Sequence, residues 1–228
     1  MLPGSPVSDV SELIALVTSE PDLVRRQGAP WPRRRDDDAV FDTDQFIDDC
    51  RAALGEDRPH SAAREVLERA VATPGPVAAA LEPREGGFTL LHHAPDLTVL
   101  HVVWAPGMRI FPHDHRMWAA IGIYAGQEDN EFFRRAGPDR ALTSSGGQAL
   151  TVGDVAVLGD NTIHAVSNPL SQLTAAIHVY AGDFVNQPRS QWGPGAPVER
   201  PYDIDEARGE FAAANRAWRA AEGGSTAP

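Results

Sequence analysis

The stretch Pro112-His113-Asp114-His115-Arg116-Met117-Trp118 decides how the rest of the chain is interpreted. Its two histidines are separated by one residue, so an extended backbone directs both imidazoles to the same face. Imidazole suits iron, zinc, copper and nickel, and two of them supply half of a coordination sphere. A third candidate ligand, His164, lies further along the chain. From these residues alone an alternative stays open, namely two turn or surface histidines and one hydrogen-bonded core histidine.

The amino-acid composition limits which classes of protein this chain can belong to. The 228 residues, 42% hydrophobic and 23% charged, are enough for a folded globular core. The formal net charge of −12 argues against a nucleic-acid partner, which would need a basic face. No apolar run has the length of a membrane span, and the start of the chain lacks the pattern of a signal peptide. With a single cysteine, Cys50, the sequence predicts a cytoplasmic protein without a membrane or nucleic-acid partner.

Residues 1–84 form a predicted helical segment that packs on the remainder. Apolar periodicity predicts one helix opening at Ser8, a second from Asp42 to Leu54, and a third starting near Ser61. Cys50 lies on the apolar stripe of the second helix, so we expect a buried thiol without a catalytic role.

From Gly87 the pattern changes to short apolar runs separated by turn residues, which predicts an antiparallel sandwich or barrel over residues 85–185. Residues 186–228 are predicted to form an irregular strap after Phe184 and a final helix from about Ile204 to Ala221, all within one structural domain. The predicted strands are Phe88–His92, Leu97–Trp104, Trp118–Tyr124, Glu131–Arg135, Gln148–Thr151, Val155–Leu158, His164–Val166 and Leu173–Tyr180.

The spacing around the histidine pair resembles the first motif of the cupin family. That motif is a glycine, five residues, His-x-His, three or four residues, a glutamate, six residues and a glycine. Here the matching positions are Gly107, His113-Asp114-His115, Ala119 and Gly126. The resemblance implies a mainly β fold, a cupin jelly roll (double-stranded β-helix), with N-terminal helices and a C-terminal helix.

The second cupin motif is matched in part. Gly153, His164 and Asn168 fall at its expected positions, whereas Gly159 and Asn161 replace its usual proline and second glycine. The glutamate position of the first motif holds Ala119, or Ala120 if four residues intervene, and alanine cannot bind a metal. The resemblance therefore implies a metal site of three neutral imidazoles with open positions for ligands. Zinc and manganese remain alternatives to iron.

A narrower resemblance, to the thiol dioxygenases, lies in Ala176-Ile177-His178-Val179-Tyr180. Strand alternation puts His178 and Tyr180 on one face and the aliphatic residues on the other. In cysteine dioxygenase and 3-mercaptopropionate dioxygenase, the matching His and Tyr lie beside the iron and orient its ligands. The resemblance implies that Tyr180 donates to an oxygen or sulfur ligand and that His178 sets its orientation. The alternative is that His178 is a hydrogen-bonded core histidine beside a core tyrosine, Tyr180.

Three departures from that family limit the resemblance, which covers about residues 85–195. The serine of its Ser-His-Tyr relay is Ala176 here, so His178 is expected to lack that partner. The cysteine of the Cys-Tyr crosslink is Ala119 or Ala120. The arginine that holds the substrate carboxylate in cysteine dioxygenase has no match in the strand upstream of the first motif. The bacterial 3-mercaptopropionate enzyme instead has an arginine shortly after the tyrosine, and this resemblance makes Arg189 the candidate for binding a substrate carboxylate, with a surface arginine as the alternative.

These residues and resemblances predict a non-haem Fe(II) dioxygenase that oxidises a small thiol acid to its sulfinic acid. One Fe(II) per chain is held by His113, His115 and His164, and the partners are the thiol and O2. Two alternatives remain: a three-His cupin dioxygenase acting on a carbon substrate, and a metal-dependent binding protein without turnover.

Overall fold

The computed structural model of the protein describes residues 40–136, 141–193 and 198–224. The helix predicted from Ser8 lies outside the described residues. The next predicted helix is confirmed, since Asp42 accepts hydrogen bonds from the backbone N–H groups of Asp44 and Gln45 and so caps its start. The described helices are α1 (Thr43–Leu54), α2 (Pro59–Val71), α3 (Pro74–Leu81) and α4 (Ile204–Gly224).

Helix α3 was not predicted from the sequence. Helix α2 ends at Val71, before Pro74-Gly75-Pro76, and Pro74 then opens α3. Proline suits the first turn of a helix because its fixed φ is helical and its missing N–H has no partner there in any case. None of the described helices has both the length and the apolar character that crossing a bilayer requires.

Eleven described strands form two antiparallel sheets, which confirms the mainly β jelly-roll fold class. Sheet A has the order β1-β2-β9-β4-β7, and sheet B has the order β11-β10-β3-β8-β5-β6. The strands are β1 (Gly87–His93), β2 (Thr98–Trp104), β3 (Arg109–Asp114), β4 (Ala119–Ala125), β5 (Gln127–Ala136), β6 (Ala141–Thr151), β7 (Val155–Leu158), β8 (Ile163–Ser167), β9 (Thr174–Tyr180), β10 (Ser190–Trp192) and β11 (Glu199–Pro201).

Sheet A is covered on both faces. Every residue of β2, β4 and β9 is buried, because helices α1 to α3 pack on the outer face and sheet B faces the inner one. Along β9, Ala175, Ile177 and Val179 pack against the helices, whereas Ala176 and Tyr180 face the interior. The predicted alternation along this strand is therefore confirmed.

The segment after Phe184 is more regular than the sequence predicts. It contains β10 and β11, and Gln191 in β10 pairs with His113 in β3. The prediction of an irregular strap is thus wrong at these strands. Strands of only three residues amid Pro and Gly give no alternating pattern, so the pairing of β10 with β3 and of β11 with β10, rather than local propensity, determines them.

Helix α4 closes one end of the jelly roll. Its buried Asn215 accepts a 2.8 Å hydrogen bond from the Gly86 N–H and donates one of 2.8 Å to the Gly86 carbonyl. A Cβ at Gly86 would lie 2.9 Å from the Asn215 Oδ1, so only glycine fits there. The helix carries Phe211, whose ring stacks on Trp104 with centroids 5.3 Å apart.

Candidate metal centre

His113, His115 and His164 converge in the interior of the jelly roll. His113 lies in β3 opposite His164 in β8, and His115 follows β3 directly. The His115 Nε2 is 3.3 Å from that of His113 and 3.2 Å from that of His164. Three imidazole nitrogens that bind one ion at about 2.1 Å each are roughly 3.0–3.4 Å apart. The spacing of these nitrogens therefore fits a single metal ion.

The other ring nitrogens of two of these histidines have acceptor partners. The His113 Nδ1 is 3.0 Å from the Phe111 carbonyl oxygen, and the His164 Nδ1 is 2.7 Å from the Asn130 Oδ1. Each acceptor places the imidazole proton on Nδ1, which leaves the Nε2 lone pair directed at the cluster. These two rings are thus held in the tautomer that binds metals.

All three imidazoles favour the neutral form. Burial lowers the pKa of His113 to about 4. Burial first, and then the neighbouring histidines, lower the pKa values of His115 and His164 well below the ordinary imidazole value. Because a metal binds the neutral ring, these shifts keep the nitrogens available near neutral pH.

No carboxylate joins these histidines in the described part of the chain, where the converging metal-ligating group consists of the three imidazoles. Ala119 is fully buried in β4, where the cupin motif has its glutamate. Three neutral ligands fit a divalent ion that keeps open positions for further ligands.

A cavity of about 60 Å³ lies beside the cluster, between the two sheets and under α4. A space of roughly 15 Å³ holds one water by this measure, so the cavity suits a ligand of a few non-hydrogen atoms. Its wall is largely apolar and aromatic, with polar groups at few points. The lining residues are Phe88, Leu100, Val102, Trp104, Ile110, His113, His115, His164, Val166, His178, Tyr180, Phe184, Arg189, Tyr202, Ile204 and Phe211.

His178 and Tyr180 lie where the sequence predicts them, in the cavity wall. The Tyr180 hydroxyl is 3.1 Å from the His178 Nδ1, and its ring lies edge-on to His115 at 5.0 Å between centroids. Burial raises the pKa of Tyr180, so its hydroxyl keeps its proton at neutral pH. The pair thus places one oriented, neutral hydroxyl beside the histidine cluster.

His178 has an acidic neighbour that the sequence analysis missed. Although Ala176 replaces the serine of the relay, the Glu128 Oε2 lies 3.5 Å from the His178 Nε2. The same oxygen accepts a 2.8 Å hydrogen bond from the Trp104 Nε1. The serine partner is absent as expected, and among the described residues the His178 Nε2 has no hydrogen-bond partner, but a carboxylate on β5 faces it.

The only signal for Glu128 in the sequence is the alternation Glu128-Asp129-Asn130. It puts two polar side chains on one face, but charged residues in a strand are usually exposed. In the structure both Glu128 and Asn130 are buried.

Arg189 lines the same cavity, directly before β10. Its guanidinium carbon is 3.9 Å from the ring centroid of Phe184 and 4.1 Å from that of Tyr202, so the group is held between two aromatic faces. One Nη donates to the Phe184 carbonyl, whereas the buried Nε–H has no hydrogen-bond partner among the described residues. The described lining includes this one arginine and no carboxylate.

No protein-family model matches this chain. Among solved structures, a cupin-superfamily protein from Desulfitobacterium hafniense is similar over 47% of this chain and 89% of its own, with 16% identity and a TM-score of 0.38. An RmlC-like cupin-family protein from Methanocaldococcus jannaschii is similar over 43% and 81%, with 13% identity and a TM-score of 0.36. KdgF from Halomonas is similar over 42% and 78%, with 21% identity and a TM-score of 0.34. These similarities concern the fold.

Proposed function

We propose that the protein is a non-haem Fe(II) dioxygenase that oxidises a small thiol acid to its sulfinic acid. One observation carries the proposal: a single small cavity is lined both by a three-imidazole cluster and by an arginine whose buried Nε–H has no partner in the described part of the chain. The cluster fits a metal, and the arginine fits an anion. A ligand that bridges them has a metal-binding group at one end and an acidic group at the other.

His113, His115 and His164 would hold the metal ion. Bound Fe(II) supplies the redox chemistry by which dioxygen reacts with a thiol. The three histidines are neutral, so they would leave the charge of a bound divalent ion uncompensated, and that charge would favour the thiolate form of a nearby thiol. The apolar wall around the cluster excludes bulk water from the reacting atoms.

Arg189 would bind the acidic end of the substrate. A guanidinium presents a planar pair of donors that matches a carboxylate, and the two flanking rings hold its plane fixed. The distance between arginine and metal then decides which chain length fits. At about 60 Å³ the cavity accepts a few non-hydrogen atoms, which suits a short thiol acid better than a peptide.

The reaction needs no external reductant. The thiol RSH and O2 give the sulfinate RSO2⁻ and one proton, so both oxygen atoms are added to sulfur. Sulfur loses four electrons, and these reduce the two oxygen atoms. Tyr180 would orient a sulfur or oxygen atom of the reactants through its hydroxyl, which His178 positions over 3.1 Å.

The test is anaerobic loading with Fe(II), followed by oxygen uptake against a panel of small thiols with and without a carboxylate. We expect one O2 consumed per thiol, with sulfinate as product and the acidic thiols preferred. Oxygen uptake with a carbon substrate and none with any thiol would favour a three-His dioxygenase acting on a carbon substrate. Stabilisation by a ligand without oxygen uptake would favour a binding protein.

A further inference from the structure

Glu128 is a fully buried carboxylate that does not contact the clustered histidines. Each of its two oxygens accepts a hydrogen bond from a neighbouring side chain. Oε2 accepts from the Trp104 Nε1 at 2.8 Å, and Oε1 accepts from the Asn130 Nδ2 at 3.0 Å. The His178 Nε2 lies 3.5 Å from Oε2. Burial alone raises the pKa of Glu128, but His178 and the donors Asn130 and Trp104 outweigh it, and the pKa lies below the ordinary value. N–H donors on both carboxylate oxygens fit the ionised form, which only accepts hydrogen bonds.

This carboxylate determines the orientation of the Asn130 amide. The two ends of an asparagine side chain have nearly the same shape, so hydrogen-bond partners decide which end faces which neighbour. Because ionised Glu128 only accepts, Asn130 must turn its NH2 group toward it. The Asn130 oxygen then faces the His164 Nδ1, at 2.7 Å. Glu128 and Asn130 are two residues apart on β5, so both side chains point inward.

We infer that Glu128 is a positioning residue for the metal site, because through Asn130 it holds the His164 proton on Nδ1 and leaves the His164 Nε2 free to bind a metal. An oxygen acceptor at Nδ1 requires a proton there, and a neutral imidazole has only one. The inference rests on the metal site of the proposed function and is independent of the substrate.

Glu128→Gln changes which hydrogen bonds the side chain at position 128 can make and keeps nearly the same side-chain shape. A glutamine amide keeps one acceptor, which the Trp104 Nε1 requires, and directs its own NH2 at Asn130. Asn130 then reverses to present its oxygen to Gln and its NH2 to His164. The His164 proton moves to Nε2, where it blocks the metal. We expect this substitution to weaken metal binding about 10- to 100-fold, the usual range for partners of metal ligands.

Asn130→Asp should also weaken binding, by placing a second carboxylate directly against Glu128 in a buried position. Combining the two substitutions exchanges the amide and the acid. The new Gln donates to the new Asp, the Asp accepts from the His164 Nδ1, and the Trp104 N–H keeps its acceptor. The double variant has the same net charge as the natural pair, so we expect it to recover most of the affinity lost in either single variant.

The experiment measures Zn²⁺ affinity by chelator competition, which avoids oxidation and does not depend on turnover. Glu131→Gln is the matched control, because Glu131 lies on the same strand, pairs with Arg109 and has a side chain 40% exposed. We expect the wild type and Glu131→Gln to bind Zn²⁺ tightly and Glu128→Gln and Asn130→Asp to bind it weakly. The double variant should bind Zn²⁺ almost as tightly as the wild type. Unchanged affinity in Glu128→Gln would overturn the inference, as would a double variant no better than the weaker single variant.

A measurement on the unaltered protein guards against variants that fail to fold. Nitrogen-15 shifts of the metal-free protein distinguish the two imidazole tautomers, and we expect His164 to carry its proton on Nδ1. A proton on Nε2 would contradict the inference. A protein that binds Zn²⁺ in the expected order but oxidises no thiol would overturn the proposed substrate alone, so the two failures are distinguishable.

Discussion

The backbone N–H of Ser190 donates a 2.7 Å hydrogen bond to the carboxylate of Asp114, which joins the segment carrying Arg189 to the residue between two clustered histidines. The other oxygen of Asp114 accepts from the Arg116 Nε at 2.8 Å and from Arg135 at 3.3 Å. Asp114 is 2% exposed, whereas both arginines reach solvent. One buried carboxylate therefore couples the position of the arginine to that of the clustered histidines.

Asp114→Asn should weaken this coupling. The amide has one acceptor oxygen for three donors, and when that oxygen turns toward the arginines its NH2 faces the Ser190 N–H, so we expect a loss of about 1–3 kcal/mol in the free energy of unfolding. Most of that loss comes from the buried bond to Ser190, since the partly exposed arginines are screened by water. The apparent KM for an acidic thiol should rise, because Arg189 loses its fixed position. The exposed Asp160→Asn is the control, and unchanged KM and unfolding free energy would disprove the coupling.

Arg189→Ala should raise the apparent KM for an acidic thiol and leave the metal content intact. A lost charge-assisted bidentate contact costs about 2–4 kcal/mol, or roughly 30- to 1000-fold in kcat/KM. Arg189→Lys should restore only part, because an ammonium lacks the planar pair of donors and stacks poorly between Phe184 and Tyr202. Steady-state kinetics with a carboxylate-free thiol provide the control. Equal losses for both thiols would assign Arg189 a structural role.

His164→Ala should remove most of the bound metal. A site with three protein ligands loses one third of its anchors, and the buried pocket offers no described carboxylate as a substitute. Metal content after gel filtration is the measurement. His92→Ala is the control, because His92 lies in β1 outside the cluster. Full metal retention in His164→Ala would show that the third ligand is wrongly assigned.

Cys50→Ser should leave turnover near normal. The thiol is completely buried in α1, and burial raises its pKa to about 12, so it is protonated and out of reach of substrates. A hydroxyl at this apolar position should lower the melting temperature modestly, since it lacks a partner there. Loss of activity in a folded, metal-loaded variant would contradict the expectation.

His101 should make stability depend on pH below neutrality. Burial lowers its pKa to about 4, while the unfolded chain has the ordinary value of about 6.5. Above pH 6.5 neither state is protonated. As the pH falls toward 4, the unfolded state binds a proton that the folded state does not, so the free energy of unfolding falls by up to about 3 kcal/mol.

Urea unfolding of the metal-free protein at several pH values between 7 and 4 measures this decline. His101→Phe removes the titrating group, and we expect a shallower decline than in the wild type, although the buried Tyr124 hydroxyl loses its 2.6 Å partner and the absolute stability falls. The clustered histidines contribute equally to both proteins, so the difference in slope isolates His101. Identical slopes would mean that His101 takes no part in the linkage.

Sequence patterns predict the parts of this fold in which the polarity of each side chain matches its burial in the structure. In β9 a strict alternation separates the buried aliphatic residues from His178 and Tyr180. Residues with even numbers therefore lie on one face of the strand and residues with odd numbers on the other. The histidine spacing likewise brings the ligands together once β3 and β8 pair. Asp42 marks the start of α1 through a side-chain capping preference that acts within one turn.

The parts that could not be predicted depend on contacts between distant segments. Glu128 and Asn130 have the composition of a surface strand and are buried because Trp104 and the histidines supply their partners. Strand β10 has no pattern of its own and exists through its pairing with His113. In each case the tertiary partner overrides the local preference.

The closure of the cavity by α4 has a consequence for the timing of assembly. The ribosome delivers the chain from its N-terminal side at about 5–20 residues per second, so the three ligands up to His164 are made before Arg189 and Phe211. The cavity wall is complete only when Asn215 reaches Gly86, 129 residues earlier in the chain. The clustered histidines are thus made before the segments that enclose them, so the topology of the chain sets the order in which the cluster and its enclosing wall are completed.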